Sequence, residues 1–325
     1  MKTKNLTLNQ ELFVNCYRNM LFLRKFEEKA AQFYSMGLIG GFCHLYIGQE
    51  AVAVGSFAAK SESDSTITSY RDHAHSILSG TNPKALMAEL FGQSEGCSKG
   101  KGGSMHLFNK NGNFFGGHGI VGAQTSLGTG IAFAEKYKKT ENICLIFLGD
   151  GAVNQGQLYE SFNLASLWKL PALYIIENNQ YSMGTSVTRS TSLKELHKKG
   201  ESFGINGISA NGMDVEEVYE TVLNMKQLIL KEKRPFLIEF KTYRYKGHSM
   251  SDPAKYRSRE EVDHYREIDP IEKAKTTILE KKLITLDECK DLEKNVKEEI
   301  KGVENFVLNE ASIPQEDELY KDIYL

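Results

Sequence analysis

The order of apolar and polar positions divides the chain into a helical start, a central stretch of alternating strand and helix, and a helical end. Apolar residues recur at Phe13, Cys16/Tyr17, Met20, Leu23, Ala30 and Phe33/Tyr34. That three-and-four spacing predicts an amphipathic helix, with Thr7 as its N-cap and Gly37 as its C-cap. Gln49 to Ala59 reads as a second helix. Ile143 to Leu148 and Leu173 to Ile176 are unbroken apolar runs, the pattern of strands covered on both faces. Leu158, Phe162, Ala165 and Leu167 mark a helix between them, Val215 to Glu232 another, and Phe236 to Phe240 a third strand. This order predicts a parallel sheet flanked by helices. Beyond Pro270, the stripe Cys289, Leu292, Val296, Ile300, Val303 and Val307 on a charged helix suits core packing or, alternatively, a subunit contact. The acidic tail from Ser312 is expected to be loosely attached.

Glycine recurs from Gly92 to Gly130 among His, Asn, Phe and Lys. A flexible linker would be monotonous, so this stretch is read as close-packed loops around a ligand. Lys+Arg 40 against Asp+Glu 42 leaves a net charge of -2. Without a basic excess, nucleic acid and acidic membrane surfaces are not expected partners. No apolar run approaches the roughly 18 residues of a spanning helix. The five cysteines (Cys16, Cys43, Cys97, Cys144, Cys289) form no C-x-x-C pair, which argues against a disulfide framework or zinc site and suits a reducing compartment. The polar segment Met1 to Gln10 has no apolar core and no arginine. The expectation is therefore a cytoplasmic protein, or a mitochondrial matrix protein whose presequence has been removed.

Three motifs fail on context. Gly117-His-Gly-Ile-Val-Gly122 matches G-x-G-x-x-G, but the polar, glycine-rich Asn109 to Gly117 does not read as the strand a dinucleotide site requires. Gly96 to Gly103 lacks the spacing of a phosphate loop, and Lys101 is followed by glycine instead of a hydroxyl residue. His73 and His75 have no further ligands nearby and are read as surface or loop histidines.

One constellation survives. The run ending at Leu148 leads into Gly149-Asp150-Gly151, and after 26 residues (152 to 177) the next run leads into Asn178-Asn179. Both turns then follow strands of one parallel sheet, where open α/β folds bind ligands. Glycines beside Asp150 let the backbone approach an anion, and a helix start just beyond offers free N–H groups to phosphate. A carboxylate, an amide oxygen and a nearby carbonyl make a hard oxygen set suited to Mg2+ shared with a diphosphate.

This spacing resembles the magnesium–diphosphate motif of thiamine-diphosphate-dependent enzymes. Gly41 to Ala51, Ser69 to His73, Gly100 to His106, Gly116 to Gln124 and Tyr243 to Asp252 resemble the alpha subunits of 2-oxo acid dehydrogenases, the pyruvate-decarboxylating ones in particular. The likeness runs from about residue 10 to residue 310. It implies a three-layer α/β diphosphate-binding domain over residues 41–270, with helical segments 1–40 and 271–325 on either side. It implies Mg2+ ligation by Asp150, Asn179 and the Tyr181 carbonyl, and diphosphate contacts from Tyr70, Arg71, Gly151 and Ala152. Gly119 and Val121 would approach the aminopyrimidine, Met183 would prop the bent cofactor, and His44 and His248 would face the substrate. Ser249 aligns with a serine that mitochondrial relatives phosphorylate, where the added charge would repel an anion. The family's activating glutamate belongs to a beta subunit, which implies an alpha-two-beta-two heterotetramer serving a lipoyl-bearing dihydrolipoyl acyltransferase. Acetoin and branched-chain 2-oxo acid dehydrogenase alpha subunits share several of these blocks. A scaffold that keeps the fold without catalysis is the alternative of a different class.

Overall fold

The computed structural model describes residues 8–322. Its helices are α1 (Gln10–Ser35), α2 (Glu50–Ala59), α3 (His73–Leu78), α4 (Pro83–Phe91), α5 (Ala123–Lys138), α6 (Gly156–Leu167), α7 (Val187–Ser190), α8 (Val215–Glu232), α9 (Arg259–Glu267), α10 (Pro270–Glu280) and α11 (Leu286–Asn305). Its strands are β1 (Ser65–Ser69), β2 (Phe114–His118), β3 (Cys144–Gly149), β4 (Ala172–Asn178), β5 (Tyr181–Ser182), β6 (Thr185–Ser186), β7 (Asn206–Asn211) and β8 (Phe236–Lys241). Six strands form one parallel sheet in the order β2-β1-β3-β4-β8-β7, and β5 and β6 form a small antiparallel hairpin.

Successive strand side chains leave on opposite faces, and both faces of the central strands are apolar. Cys144, Ile146, Leu148, Tyr174 and Ile176 pack against Ala132 of α5 and Leu158, Phe162 and Ala165 of α6. Leu145, Phe147, Leu173 and Ile175 meet Val52 of α2 and Val218, Val222 and Ile229 of α8 on the other side. Each such side chain contributes about 1.5–3 kcal/mol when buried, so a charge placed at Ile146 or Ile175 would disrupt the expected three-layer core. Gly128 lets α5 lie close on the sheet, because a Cβ there would meet Ile146 Cγ1 at 2.5 Å.

The terminal helices close over this core. Phe13, Cys16, Tyr17 and Leu23 share a cluster with Ile271, Ala274, Ile278 and Cys289. Phe22, Phe26 and Phe33 share another with Val296, Ile300, Val303 and Val307. The apolar stripe from Cys289 to Val307 therefore packs within the chain. Its start is fixed by a capping box between Thr285 and Glu288.

Several expectations are corrected. Asn9 caps α1, accepting from Leu12 N at 2.8 Å; Thr7 lies outside the described residues. Met36 is the C-cap, and Gly37 follows at φ +75°. β1, β2 and β7 were not legible: β7 is an edge strand of Asn, Gly, Ser and Ala around one Ile, and β2 contains two glycines. β2 does precede Gly119 to Gly122 and α5, so the strand missing from the G-x-G-x-x-G context is present. It is an edge strand, however, and β1 lies between it and β3. His73 and His75 are both fully buried at the start of α3, not on the surface. Within the described residues the tail meets the Gly-rich loop twice: Ser94 N donates to Ser312 O (2.9 Å), and Lys99 Nζ reaches Asp322 Oδ2 (2.8 Å). Exposed ion pairs of this kind stabilise by little.

Gly96 to Gly103 wraps a carboxylate of its own chain. Glu89 Oε2 accepts from Ser98 N (2.7 Å) and Gly100 N (2.9 Å), and Oε1 accepts from Gly102 N (2.6 Å) and Gly103 N (3.2 Å). The loop that resembles a phosphate cradle is filled from within.

Candidate active site

Register brings the two polar turns together. Leu148 pairs with Ile176 and Gly149 with Glu177, so Asp150 and Asn179 emerge beyond the carboxyl ends of adjacent strands. The hairpin β5–β6 then folds back, with Met183 at its turn in the left-handed region (φ 51°). A cavity of about 840 Å3 opens above these strand ends, within the size range of cofactor sites. His44, Tyr70, Arg71, Gly119, Val121, Asp150, Gly151, Ala152, Asn179, Tyr181, Met183 and His248 all line it. Every residue singled out from the sequence for cofactor, metal or substrate is thus brought to one place.

Three oxygens converge on its floor. With Asn179 Nδ2 donating to Gln49 Oε1 (3.0 Å), Asn179 Oδ1 stands 3.1 Å from the Tyr181 carbonyl oxygen and 3.2 Å from Asp150 Oδ1. Acceptors this close repel one another unless a cation or proton lies between them. Turned over, the amide would donate to both oxygens; unturned, it would offer Oδ1 together with them to a cation. Adjacent ligands of an octahedral Mg2+ with bonds near 2.1 Å are separated by about 3.0 Å, so the donor set fits this ion. Among the described residues no group of three His, Cys, Asp or Glu is arranged for a metal, so any metal here relies on amide and carbonyl oxygens. Asp150 is buried, which raises its pKa, and Oδ2 accepts from Ser182 Oγ at 3.0 Å.

Positive charge surrounds this floor. Arg71, on the loop after β1, is buried and donates to Leu45 O (2.6 Å) and His248 O (2.8 Å). Burial, then the nearby Arg244, lowers its pKa to about 10, which leaves it a cation at neutral pH. Arg244, beyond the end of β8, is 1% exposed and donates to Tyr181 O (3.0 Å), Asn179 Oδ1 (3.4 Å) and Tyr256 Oη (3.1 Å). Two buried guanidiniums beside a three-oxygen set suit an anion carried with a divalent cation.

The upper wall is a ring cluster. His44 lies 4.6 Å from Tyr70 and 5.3 Å from His248, centroid to centroid. Burial, then Arg71, lowers the His44 pKa to about 2 and that of His248 to about 4. Both imidazoles are therefore neutral near pH 7, a sharper state than the sequence indicated. Neither Nδ1 has a hydrogen-bond partner among the described residues, and buried polar atoms of that kind call for a ligand or water. Asp252 shapes the His248 loop by accepting from His248 N (2.6 Å), Ala254 N (2.9 Å) and Tyr256 Oη (2.7 Å). Ser249 is buried, and its hydroxyl pairs with that of Ser251 (2.9 Å).

Arg244, Glu177, Gln49, Gln124 and Asp252 also line the cavity and were not singled out from sequence. Arg244 carried a usable signal: a cation among tyrosines just past a buried strand sits at the sheet's carboxyl edge. Glu177 hydrogen-bonds Tyr46 Oη, and burial raises its pKa to about 7. Its only sequence signal was a carboxylate closing an apolar run.

The dehydrogenase E1 component family model matches residues 18–312. The chain is 57% identical over 324 residues to a pyruvate dehydrogenase E1 component subunit alpha of Rickettsia felis, covering 100% of this chain and 99% of that one. It is 52% identical over 313 residues to the subunit of that name from Rhizobium meliloti (96% and 90% covered). A mitochondrial subunit of that name from Dictyostelium discoideum is 46% identical over 319 residues (98% and 83% covered). With a sheet, a cavity and a polar floor of the expected kind beneath this likeness, the chain belongs to the dehydrogenase E1 component family.

Proposed function

We propose that this chain is the alpha subunit of a pyruvate dehydrogenase. Paired with a beta subunit, it decarboxylates pyruvate oxidatively and acetylates a lipoyl group of a dihydrolipoyl acyltransferase. The observation that carries this is the three-oxygen floor of Asp150, Asn179 and Tyr181 between Arg71 and Arg244. The pyruvate names of its relatives supply the substrate.

In this reading Asp150, Asn179 and the Tyr181 carbonyl hold Mg2+. Tyr70, Arg71, Arg244 and the backbone of Gly151 and Ala152 hold the diphosphate, Gly119 and Val121 flank the aminopyrimidine, and Met183 props the cofactor. Thiamine diphosphate, when bound, supplies the nucleophilic carbon and electron sink that a 2-oxo acid needs to lose carbon dioxide. The chain's own contribution is to orient and to exclude water. His44 and His248, held neutral, would each offer one N–H to a substrate carboxylate or keto oxygen.

The carboxylates lining the cavity are each engaged within the chain: Asp150 with Ser182, Glu177 with Tyr46, and Asp252 with its own loop. This supports a glutamate supplied by the beta subunit to protonate the aminopyrimidine, and so a site shared between chains in an alpha-two-beta-two heterotetramer. Among the described residues no helix is long and apolar enough to cross a membrane; the bacterial relatives support a cytoplasmic setting.

The test is turnover by the purified chain with and without its beta partner, on pyruvate, acetoin and 3-methyl-2-oxobutanoate. Pyruvate turnover that requires both chains is expected. Decarboxylation by this chain alone, or preference for another substrate, contradicts the proposal.

A further inference from the structure

Behind the His44 wall lies a buried chain of three side chains that the site does not use directly. Glu27 of α1 accepts from or pairs with His73 Nδ1 through Oε2 at 2.9 Å, and His73 Nε2 lies 2.8 Å from Ser104 Oγ. All three are buried: Glu27 1%, His73 0% and Ser104 5% exposed. The order carboxylate, imidazole, hydroxyl is that of a nucleophilic triad, yet Ser104 Oγ is engaged by the backbone, and the cavity wall contains the neighbouring Met105 but not Ser104. A nucleophile needs an open face, and this hydroxyl has none.

What the chain does instead follows from the backbone of residues 43–47. This segment belongs to no strand or helix, and so has no ladder to satisfy its polar groups. Its odd carbonyls accept from Met250 N (Cys43 O, 2.9 Å), Arg71 (Leu45 O, 2.6 Å) and Tyr245 N (Ile47 O, 3.1 Å). Its even amides donate to side chains: His44 N to Ser104 Oγ (3.3 Å) and Tyr46 N to Glu27 Oε1 (2.8 Å). His73 ties those two acceptors together. In either protonation state of His73 the serine oxygen keeps a lone pair for His44 N–H.

We propose that Glu27, His73 and Ser104 act as positioning residues: a buried relay that grips the backbone on both sides of Leu45 and so aims His44 into the cavity. The proposal rests on the reading of His44 as a substrate-facing residue. Misplacement of a reacting partner by about 1 Å can cost on the order of 100-fold in rate, so loss of either grip on residues 43–47 is expected to register in the rate.

The experiment uses the assembled alpha and beta chains and two readouts. In the first, kcat on pyruvate is measured per cofactor-occupied site for Ser104→Ala, Ser104→Thr, His73→Gln and His44→Ala, and for Ser104→Ala combined with His44→Ala. Ser104→Ala and His73→Gln are expected to lower kcat by about 10- to 100-fold, and Ser104→Thr, which keeps the hydroxyl, to restore most of it. In the His44→Ala background the Ser104→Ala change is expected to cost nothing further. In the second readout, hydrogen–deuterium exchange of peptides spanning 42–48 is expected to speed up in Ser104→Ala and in Glu27→Gln, but not in Ser104→Thr. Should Glu27→Gln fail to assemble, the two Ser104 variants decide the matter. Losses that multiply in the double variant, or unchanged kcat in Ser104→Ala, overturn the relay. A silent His44→Ala would instead overturn the reading of the site, and the exchange result alone then decides on the grip: unchanged exchange overturns it.

Discussion

Two glycine-rich turns in this molecule look alike in sequence and end differently in space. Gly96 to Gly103 presents its backbone amides to Glu89, a carboxylate already in the chain. Gly149 to Gly151 presents a carboxylate to other oxygens, with two arginines nearby and a cavity above. The first turn is a closed structural joint, and the second, in the proposed function, is where the chain would hold a divalent cation. Glycine content marks a place where backbone comes close to something charged. Whether that something belongs to the protein is decided by the partner in space, which local spacing does not reveal in either case.

The two turns should therefore fail differently. The largest effect is expected at the open one: Asp150→Ala lowers affinity for thiamine diphosphate and Mg2+ by about 100-fold or more, the scale of losing a buried charge partner. Calorimetric titration measures it, and the urea midpoint should move little. At the closed turn the effects reverse. Glu89→Gln removes acceptor capacity from a carboxylate that binds four amides, and should cost about 2–3 kcal/mol of unfolding free energy. Urea denaturation reads that loss, with a much smaller change in cofactor affinity per folded molecule. If Glu89→Gln abolished cofactor binding while stability held, the distinction between the turns would be lost.

A third effect separates the regions by pH. His44 and His248 have folded pKa values lowered to about 2 and about 4, against roughly 6.5 in an unfolded chain. Between those values the unfolded state binds more protons, so these residues make stability fall as pH drops from about 6.5 toward 4. Replacing both with glutamine should flatten that part of the profile, measured as melting temperature against pH on the chain without cofactor. Glu89→Gln should leave the slope over the same window in place.

The layered architecture was legible because the central strands are apolar on both faces, and two strands and two helices were located almost to the residue. β2 and β7 were not, because edge strands need less apolar surface and here contain Gly, Asn and Ser. The floor of the site was legible as two turns at the ends of buried strands. Its positive lining was half legible: Arg71 stood in a recognisable block, whereas Arg244 was hidden among tyrosines and only the parallel pairing of β4 with β8 shows that it reaches Tyr181. The histidines of α3 were misplaced for a related reason. Nothing near His73 in sequence announces Glu27, which comes from α1.

The most direct test is a crystal structure of the chain with its beta partner, soaked with thiamine diphosphate and Mn2+, in which anomalous scattering locates the metal. The expected result is one peak about 2.0–2.3 Å from Asp150 Oδ1, Asn179 Oδ1 and the Tyr181 carbonyl oxygen. A peak elsewhere, or diphosphate bound with those three oxygens facing away from it, would contradict the assignment on which the site is built.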